Sequence, residues 1–266
     1  MRINKYSEVF VKGDFLKDKY DYNVFEDMLS SPENFFMSDE KNYIIGRGNR
    51  GYPIWIWTKD NIEEEKVNEL ENILRKEYLL DSKNNITCKK ELFPYLNKDF
   101  PNNSDYHEIA SLICKELKPV ELSIGYIDRA NYGDKTLLAN YWIANCEEIY
   151  KDKKVSFQES LVEVDSWIKN DNFFVWRNGT GKAVSIASVN IINNEAIISH
   201  VFTPKEERKK GYCKSLIHEI TKEILENKLV PLLYTDHQYK ISNHTYSNLG
   251  YIERCVLINI NINKIK

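Results

Sequence analysis

The sequence predicts an α/β (α+β) chain. Apolar runs of strand length alternate with amphipathic stretches of helix length along most of it. From Ala196 to Tyr251 the order reads strand, glycine turn, helix, strand, polar helix. The length of 266 residues admits one or two domains.

In the first half, Asn42 to Ile45 and Tyr52 to Trp57 read as short strands around a Gly48–Gly51 turn. Asp60 or Asn61 can cap a helix that runs to about Leu80. Its buried stripe would be Ile62, Val67, Leu70, Ile73 and Leu74. Leu92 to Leu96 and Tyr106 to Leu117 suggest two further helices, and Asn97 to Ser104, with Pro101, reads as a loop. Pro119 to Ile127 reads as a strand. Arg129 to Lys135, which contains Gly133, is the expected boundary between a domain at 1–130 and one at 131–266.

In the second half, Thr136 to Tyr150 and Phe157 to Asn170 read as helices. Phe173 to Arg177 is a strand, followed by an Asn178-Gly179-Thr180-Gly181 turn. Ala183 to Ile192 and Ala196 to Thr203 form a hairpin around Asn193-Asn194. Lys214 to Glu226 places Leu216, Ile217, Ile220 and Ile224 at helical spacing. Leu229 to Thr235 is a further strand, and Ser242 to Tyr251 a polar helix carrying a tyrosine.

A net charge of −3 gives no support for nucleic acid as a partner. Hydrophobic content of 42% supports a sizeable core. Five cysteines without paired spacing do not read as a disulfide framework, and no Cys/His pattern suggests a metal. No apolar run approaches the length of a membrane span, and the first residues lack a signal-peptide core. A cytoplasmic protein is expected. The abundance of Lys, Asn and Ile suggests a bacterial one.

Gly211 sits where a helix should begin. Glycine adopts positive φ and lets a ligand approach the backbone. The unpaired N–H groups and positive dipole end of the first helical turn suit a diphosphate. Arg208, Lys209, Lys210 and Lys214 add positive charge around it.

Arg208-Lys209-Lys210-Gly211-Tyr212-Cys213 resembles the (Q/R)-x-x-G-x-(G/A) signature of the GCN5-related N-acetyltransferases (GNATs). Ser242-Asn243-His244-Thr245-Tyr246, with Gly250-Tyr251, is similar to that family's S-N-x-x-Y-x-x-x-G-(Y/F) element. The approach Val201-Phe202-Thr203-Pro204 also looks like the family's, and the local resemblance covers roughly Asn172 to Ile258. Two departures stand out. Cys213 replaces the final Gly/Ala, and Tyr239 stands where related sequences often have Asn.

The resemblance implies a GNAT fold in the C-terminal half. It also implies an N-terminal half resembling a degenerate copy of that fold and shaping the substrate cleft. The cofactor would be acetyl-coenzyme A. Its pyrophosphate would meet Arg208, Lys209, Lys210, Gly211, Tyr212, Cys213, Lys214 and Ser215, and its pantetheine the backbone of Val201, Phe202 and Thr203. Asn243 matches a cofactor-contacting position, although it or Ser242 can equally be a helix N-cap. Tyr246 matches the tyrosine that protonates the leaving thiolate. The acetyl group would pass directly, in a ternary complex, to a primary amine of a small molecule or protein.

The residues leave the general base open. His200 has a suitable ordinary pKa. Strand alternation would put it on one face with Phe202, and Ser199 with Val201 on the other. Glu195, Glu163 and a chain of waters are further candidates. Cys213 reads as a small loop residue, not a nucleophile. Three other readings keep the fold: a longer acyl donor, an aminoacyl-tRNA donor, or a non-catalytic cofactor-binding or sensor protein.

Overall fold

The computed structural model describes residues 2–4, 7–30, 34–48, 53–77, 85–96, 106–149 and 154–261. Short helices α1 (Glu8–Val11), α2 (Phe15–Asp18) and α3 (Val24–Leu29) lead into strands β1 (Phe35–Ser38), β2 (Tyr43–Arg47) and β3 (Ile54–Thr58). Next come α4 (Glu64–Glu77), β4 (Asn85–Lys89), α5 (Phe93–Leu96), β5 (Tyr106–Cys114) and β6 (Tyr126–Arg129). Helices α6 (Lys135–Ile149) and α7 (Phe157–Lys169) precede β7 (Phe173–Arg177), β8 (Ala183–Ile192) and β9 (Glu195–Phe202). The chain closes with α8 (Tyr212–Glu226), β10 (Val230–Asp236), α9 (Lys240–Leu249) and β11 (Tyr251–Asn261).

The chain divides into two compact units. The first comprises 1–111, 235–239 and 253–266; the second comprises 112–234 and 240–252. The division near residue 111, with the last strand returning to the first unit, differs from the boundary expected near 130. The physical reason is pairing: Asn85–Lys89 of β4 lies antiparallel to Leu257–Asn261 of β11. A partner about 170 residues away leaves no local mark in the sequence.

In the first unit, β1 and β2 pair antiparallel, β2 and β3 antiparallel, and β3 and β4 parallel. The parallel pair is joined through α4. Val67, Leu70 and Leu74 of α4 are buried, with Ile62 and Ile73 packed beside them, so the expected stripe forms. The helix starts at Glu64 rather than at a cap on Asp60 or Asn61, because Asn61 turns with φ +53. Residues 78–80, its expected end, lie outside the described residues, as do most of the Gly48–Gly51 turn and the Asn97–Ser104 loop. A separate aromatic cluster joins Phe10, Phe15, Phe25 and Phe36 by ring contacts at 5.5–6.4 Å.

Two expectations fail in the middle of the chain. Tyr106–Cys114 is a strand, not a helix, and Ala110 to Cys114 are buried in succession. Such a run marks a strand covered on both faces, which periodicity alone does not separate from a buried helix. Residues 117–123 have no regular structure, so the strand expected at Pro119–Ile127 is confined to β6.

In the second unit the order is β10-β9-β8-β7-β6. β6 to β9 are successively antiparallel, and β9 and β10 are parallel. Local chemistry sets the turns. Asn178 Oδ1 accepts from the N–H groups of Thr180 and Lys182, and Gly181 has φ +81. Asn193 takes φ +55 in the β8–β9 hairpin. Ser156 and Glu159 form a capping box at the start of α7. α6 and α7 pack on one face, where Leu138, Val164, Phe173, Ile186 and Phe202 share a core. Arg177 is buried at the end of β7 with a bidentate pair to Asp134 and a 2.6 Å bond to Asp128.

Candidate functional site

Gly211 is the N-cap of α8, with φ +79 and ψ 1. It is thus in the left-handed region, where only glycine sits without steric cost. Lys209, two residues earlier, also has positive φ, at +62. Backbone of this kind turns successive N–H groups toward one side and makes an anion-binding concavity. α8 then supplies the unpaired N–H groups of its first turn.

The four cations of the turn are not equivalent. Arg208 is tied down: Nε donates to the Thr203 carbonyl at 2.8 Å, and Nη2 meets Glu148 at 2.6 Å. It closes the loop from 203 to 208 and shares its charge with Glu148. Lys210 pairs with Glu207 at 2.8 Å, and Glu207 also meets Lys182. Among the described residues, Lys209 and Lys214 have no ion-pair partner, and Lys209 is exposed. Lys210 is itself exposed, whereas its partner Glu207 is buried.

Cys213 lies in the first turn of α8, and burial raises its thiol pKa to about 11. It stays protonated near neutral pH and is not poised as a nucleophile. Ser215 is fully buried; its Oγ accepts from the Ser123 N–H at 2.8 Å. Tyr212 opens the helix, half-buried.

Upstream of the turn, β9 pairs with β10 only from Glu195↔Val230 to Ile198↔Leu233. β9 itself continues to Phe202. Beyond Ile198 its edge toward β10 is therefore unpaired among the described residues. On the other edge, the register with β8 shifts by one residue between Ile186↔Phe202 and Ser188↔Ser199. This is a β-bulge, and His200 takes φ +52 within it.

The bulge breaks alternation at Ser199, while His200 and Phe202 keep the common face that alternation gives them. Ser199 and His200, though adjacent, both reach the Ser188 hydroxyl, at 2.9 and 2.8 Å. The His200 ring is edge-on to Trp142, 4.9 Å between centroids, and tilted against Trp167 at 5.0 Å. Phe202 contacts Tyr141. His200 and Phe202 thus both point toward the α6–α7 face. Burial lowers the His200 pKa below its ordinary value. Its neighbours from every packed element are the neutral Trp142, Trp167, Ser188 and Ser199, so no facing charge opposes that shift.

The carbonyls of Phe202 and Thr203 accept from Ser185 Oγ at 3.3 Å and Arg208 Nε at 2.8 Å. Val201 is half-buried at the bulge.

Downstream, α9 packs against α8. Tyr246 is only 6% exposed and lies edge-on to Tyr251 at 6.0 Å. Burial raises its phenol pKa well above the ordinary value, and Cys213 and Tyr251 push the same way. Through Tyr251, whose hydroxyl bonds Thr221 at 2.7 Å, Tyr246 is packed on the α8 side. Asn243 and Ser242 lie inside α9, which begins at Lys240, so neither is its N-cap.

The structure thus gathers the glycine turn, Cys213 and Tyr246 on the α8–α9 side, and puts His200 toward α6–α7. Glu195 opens β9, at the opposite end of the strand from the bulge, and Glu163 is exposed on α7. Sequence reasoning missed Ser123, Trp142, Trp167 and Ser188. None carries a motif, and only tertiary packing of helices, strand and irregular segment brings them to the site. Among the described residues, no group of His, Cys, Asp and Glu has metal-binding geometry. No helix there is long and apolar enough to cross a membrane.

Residues 179–258 match the family model described as FR47-like protein. No curated protein matches the sequence. Similar solved structures include a GNAT-family acetyltransferase from Colwellia psychrerythraea, 11% identical, covering 98% of each chain with a TM-score of 0.60. A GCN5-related N-acetyltransferase from Sphaerobacter thermophilus is 13% identical, covers 90% of this chain and 84% of its own, and has a TM-score of 0.62. A functionally unknown conserved protein from Staphylococcus epidermidis is 13% identical, with 89% and 96% coverage and a TM-score of 0.60.

Proposed function

We propose that this chain, whose fold is that of the GCN5-related N-acetyltransferases, uses acetyl-coenzyme A to acetylate a primary amine by direct transfer in a ternary complex. The fold is one that carries acyl transfer; donor, acceptor type and residue roles are this proposal's own. The observation that carries it is the left-handed Gly211 opening α8, nine residues after a β9 edge that β10 no longer pairs.

The residues fit the cofactor. Backbone N–H groups at the start of α8, with Lys209, Lys210 and Lys214, bind the diphosphate. The unpaired β9 edge at Val201–Phe202, with Thr203 just beyond it, takes the pantetheine arm as a strand would. Bound acetyl-coenzyme A supplies the activated acyl group. Tyr246 donates a proton to the departing sulfur. Asn243 contacts the cofactor from α9.

His200 serves as the base that takes the amine's proton. Its lowered pKa keeps it neutral. The Ser188 hydroxyl can donate to the Ser199 carbonyl at 3.3 Å and accept from His200 Nδ1–H at 2.8 Å. That arrangement leaves the Nε2 lone pair to receive a proton.

The test is the thermal midpoint with acetyl-coenzyme A, coenzyme A, ATP or no ligand. A ligand at 100 times its dissociation constant adds about 2.7 kcal/mol. A rise with the coenzyme A compounds alone supports the reading. No rise with any of them refutes it.

A further inference from the structure

The segment 117–123, without regular structure, lies between two parts of the candidate site. At one end it is fastened to the C-terminal end of α9. The Lys118 N–H donates to the Leu249 carbonyl at 3.0 Å, and Lys118 Nζ to Ser247 O at 3.3 Å. Gly250, with φ +102, lies so close to the Glu116 carbonyl that a Cβ there would collide with it. At the other end Ser123 meets the glycine turn. Its N–H donates to Ser215 Oγ at 2.8 Å, and its Oγ donates to the Lys210 carbonyl at 2.7 Å.

The second bond bears on anion binding. The Lys210 carbonyl and the Gly211 N–H belong to one peptide plane, and in a trans peptide they point in opposite directions. Holding the carbonyl toward Ser123 therefore aims the Gly211 N–H away from Ser123, to the side the following helical N–H groups can share. Glycine permits this peptide to flip at little steric cost. A flipped peptide would present a carbonyl where a diphosphate needs a donor. Ser123 opposes the flip by holding the carbonyl. It uses none of the N–H donors of the turn.

We infer that Ser123 is a positioning residue of the diphosphate site, fixing the Lys210–Gly211 peptide in the anion-binding orientation. This rests on the acetyl-coenzyme A reading above and adds a residue outside both motifs. Ser123 touches the turn and not the ligand. Its loss should weaken binding of the diphosphate and leave the thioester end of the site unchanged.

The experiment compares wild type with Ser123→Ala by calorimetric titration with coenzyme A and with S-acetyl-pantetheine, which lacks the diphosphate. Circular dichroism checks that the variant is folded; Ser123 sits on a largely exposed segment, so folding should persist. Losing one hydrogen bond should weaken coenzyme A affinity about fivefold to tenfold, with S-acetyl-pantetheine affinity unchanged. Equal coenzyme A affinity in the two proteins would overturn the inference. So would a parallel loss for both ligands, or an unfolded variant, since either makes Ser123 a general structural residue. If wild type itself fails to bind coenzyme A, the cofactor reading falls first, and the assignment of Ser123 falls with it.

Discussion

Replacing Gly211 with alanine tests the geometry of the turn directly. The residue has φ +79 and ψ 1. An L-residue in this left-handed region costs about 1–2 kcal/mol. The added Cβ would also stand 2.5 Å from Ser123 Oγ, well inside contact distance. Ser123 must rotate away and lose its bond to the Lys210 carbonyl, for about 1 kcal/mol more. Gly211→Ala should therefore cost about 2–3 kcal/mol, measured by urea unfolding followed by circular dichroism. In a Ser123→Ala background the clash is absent, because the Ser123 Cβ is 3.9 Å from the same point. There Gly211→Ala should cost only the backbone part. The double-mutant cycle then yields a coupling of about 1 kcal/mol. Additivity within about 0.3 kcal/mol would show that Ser123 and the turn do not meet as described.

Three further outcomes follow from the same site and its frame. Tyr246→Phe should lower turnover in a thiol-release assay by about 10²-fold or more while coenzyme A affinity stays within about twofold; undiminished turnover would remove the acid role. For His200, the folded pKa lies below the ordinary 6.5, so its contribution to stability is complete above pH 6.5 and is lost as pH falls toward the folded pKa. His200→Asn, a residue that tolerates positive φ, should remove that slope; parallel profiles of thermal midpoint against pH for the two proteins would show that His200 is not the cause. Burial pushes the Asp134 carboxyl up, but hydrogen bonds from Arg177 and Asn131 outweigh it and hold the pKa below the usual value. Arg177→Met should thus cost about 3–5 kcal/mol at pH 7 by leaving Asp134 charged and buried. The penalty should shrink toward pH 4 as Asp134 takes up a proton in the variant; a penalty that does not depend on pH would refute the pairing argument.

Much of the second unit was legible in the chain. The Leu216, Ile217, Ile220 and Ile224 stripe fixes α8, and all four are buried. Asn178, Gly181 and Asn193 set two hairpins through side-chain bonds or positive φ. Gly211 before that helix pointed to the left-handed N-cap that is found. Each of these features depends on residues within about a turn of one another, so local sequence suffices. The charges around Gly211 were legible as charges, but not their partners: the Glu148 that holds Arg208 is 60 residues away.

What tertiary structure decided has the opposite character. Tyr106–Cys114 becomes a strand because burial on both faces, not periodicity, selects it. Pro119–Ile127 has the apolar content of a strand, yet 117–123 stays irregular and is bound instead to the ends of α8 and α9. β11 joins β4 across most of the chain. A single bulged residue breaks the alternation of β9, so Ser199 and His200, though adjacent, meet the same Ser188 hydroxyl. Sequence alone fixed the helix with its glycine turn, since those conformations follow from a residue's own steric limits and its near neighbours. Strand partners, register and the direction of His200 were left to the fold, because they depend on which distant segment buries against which.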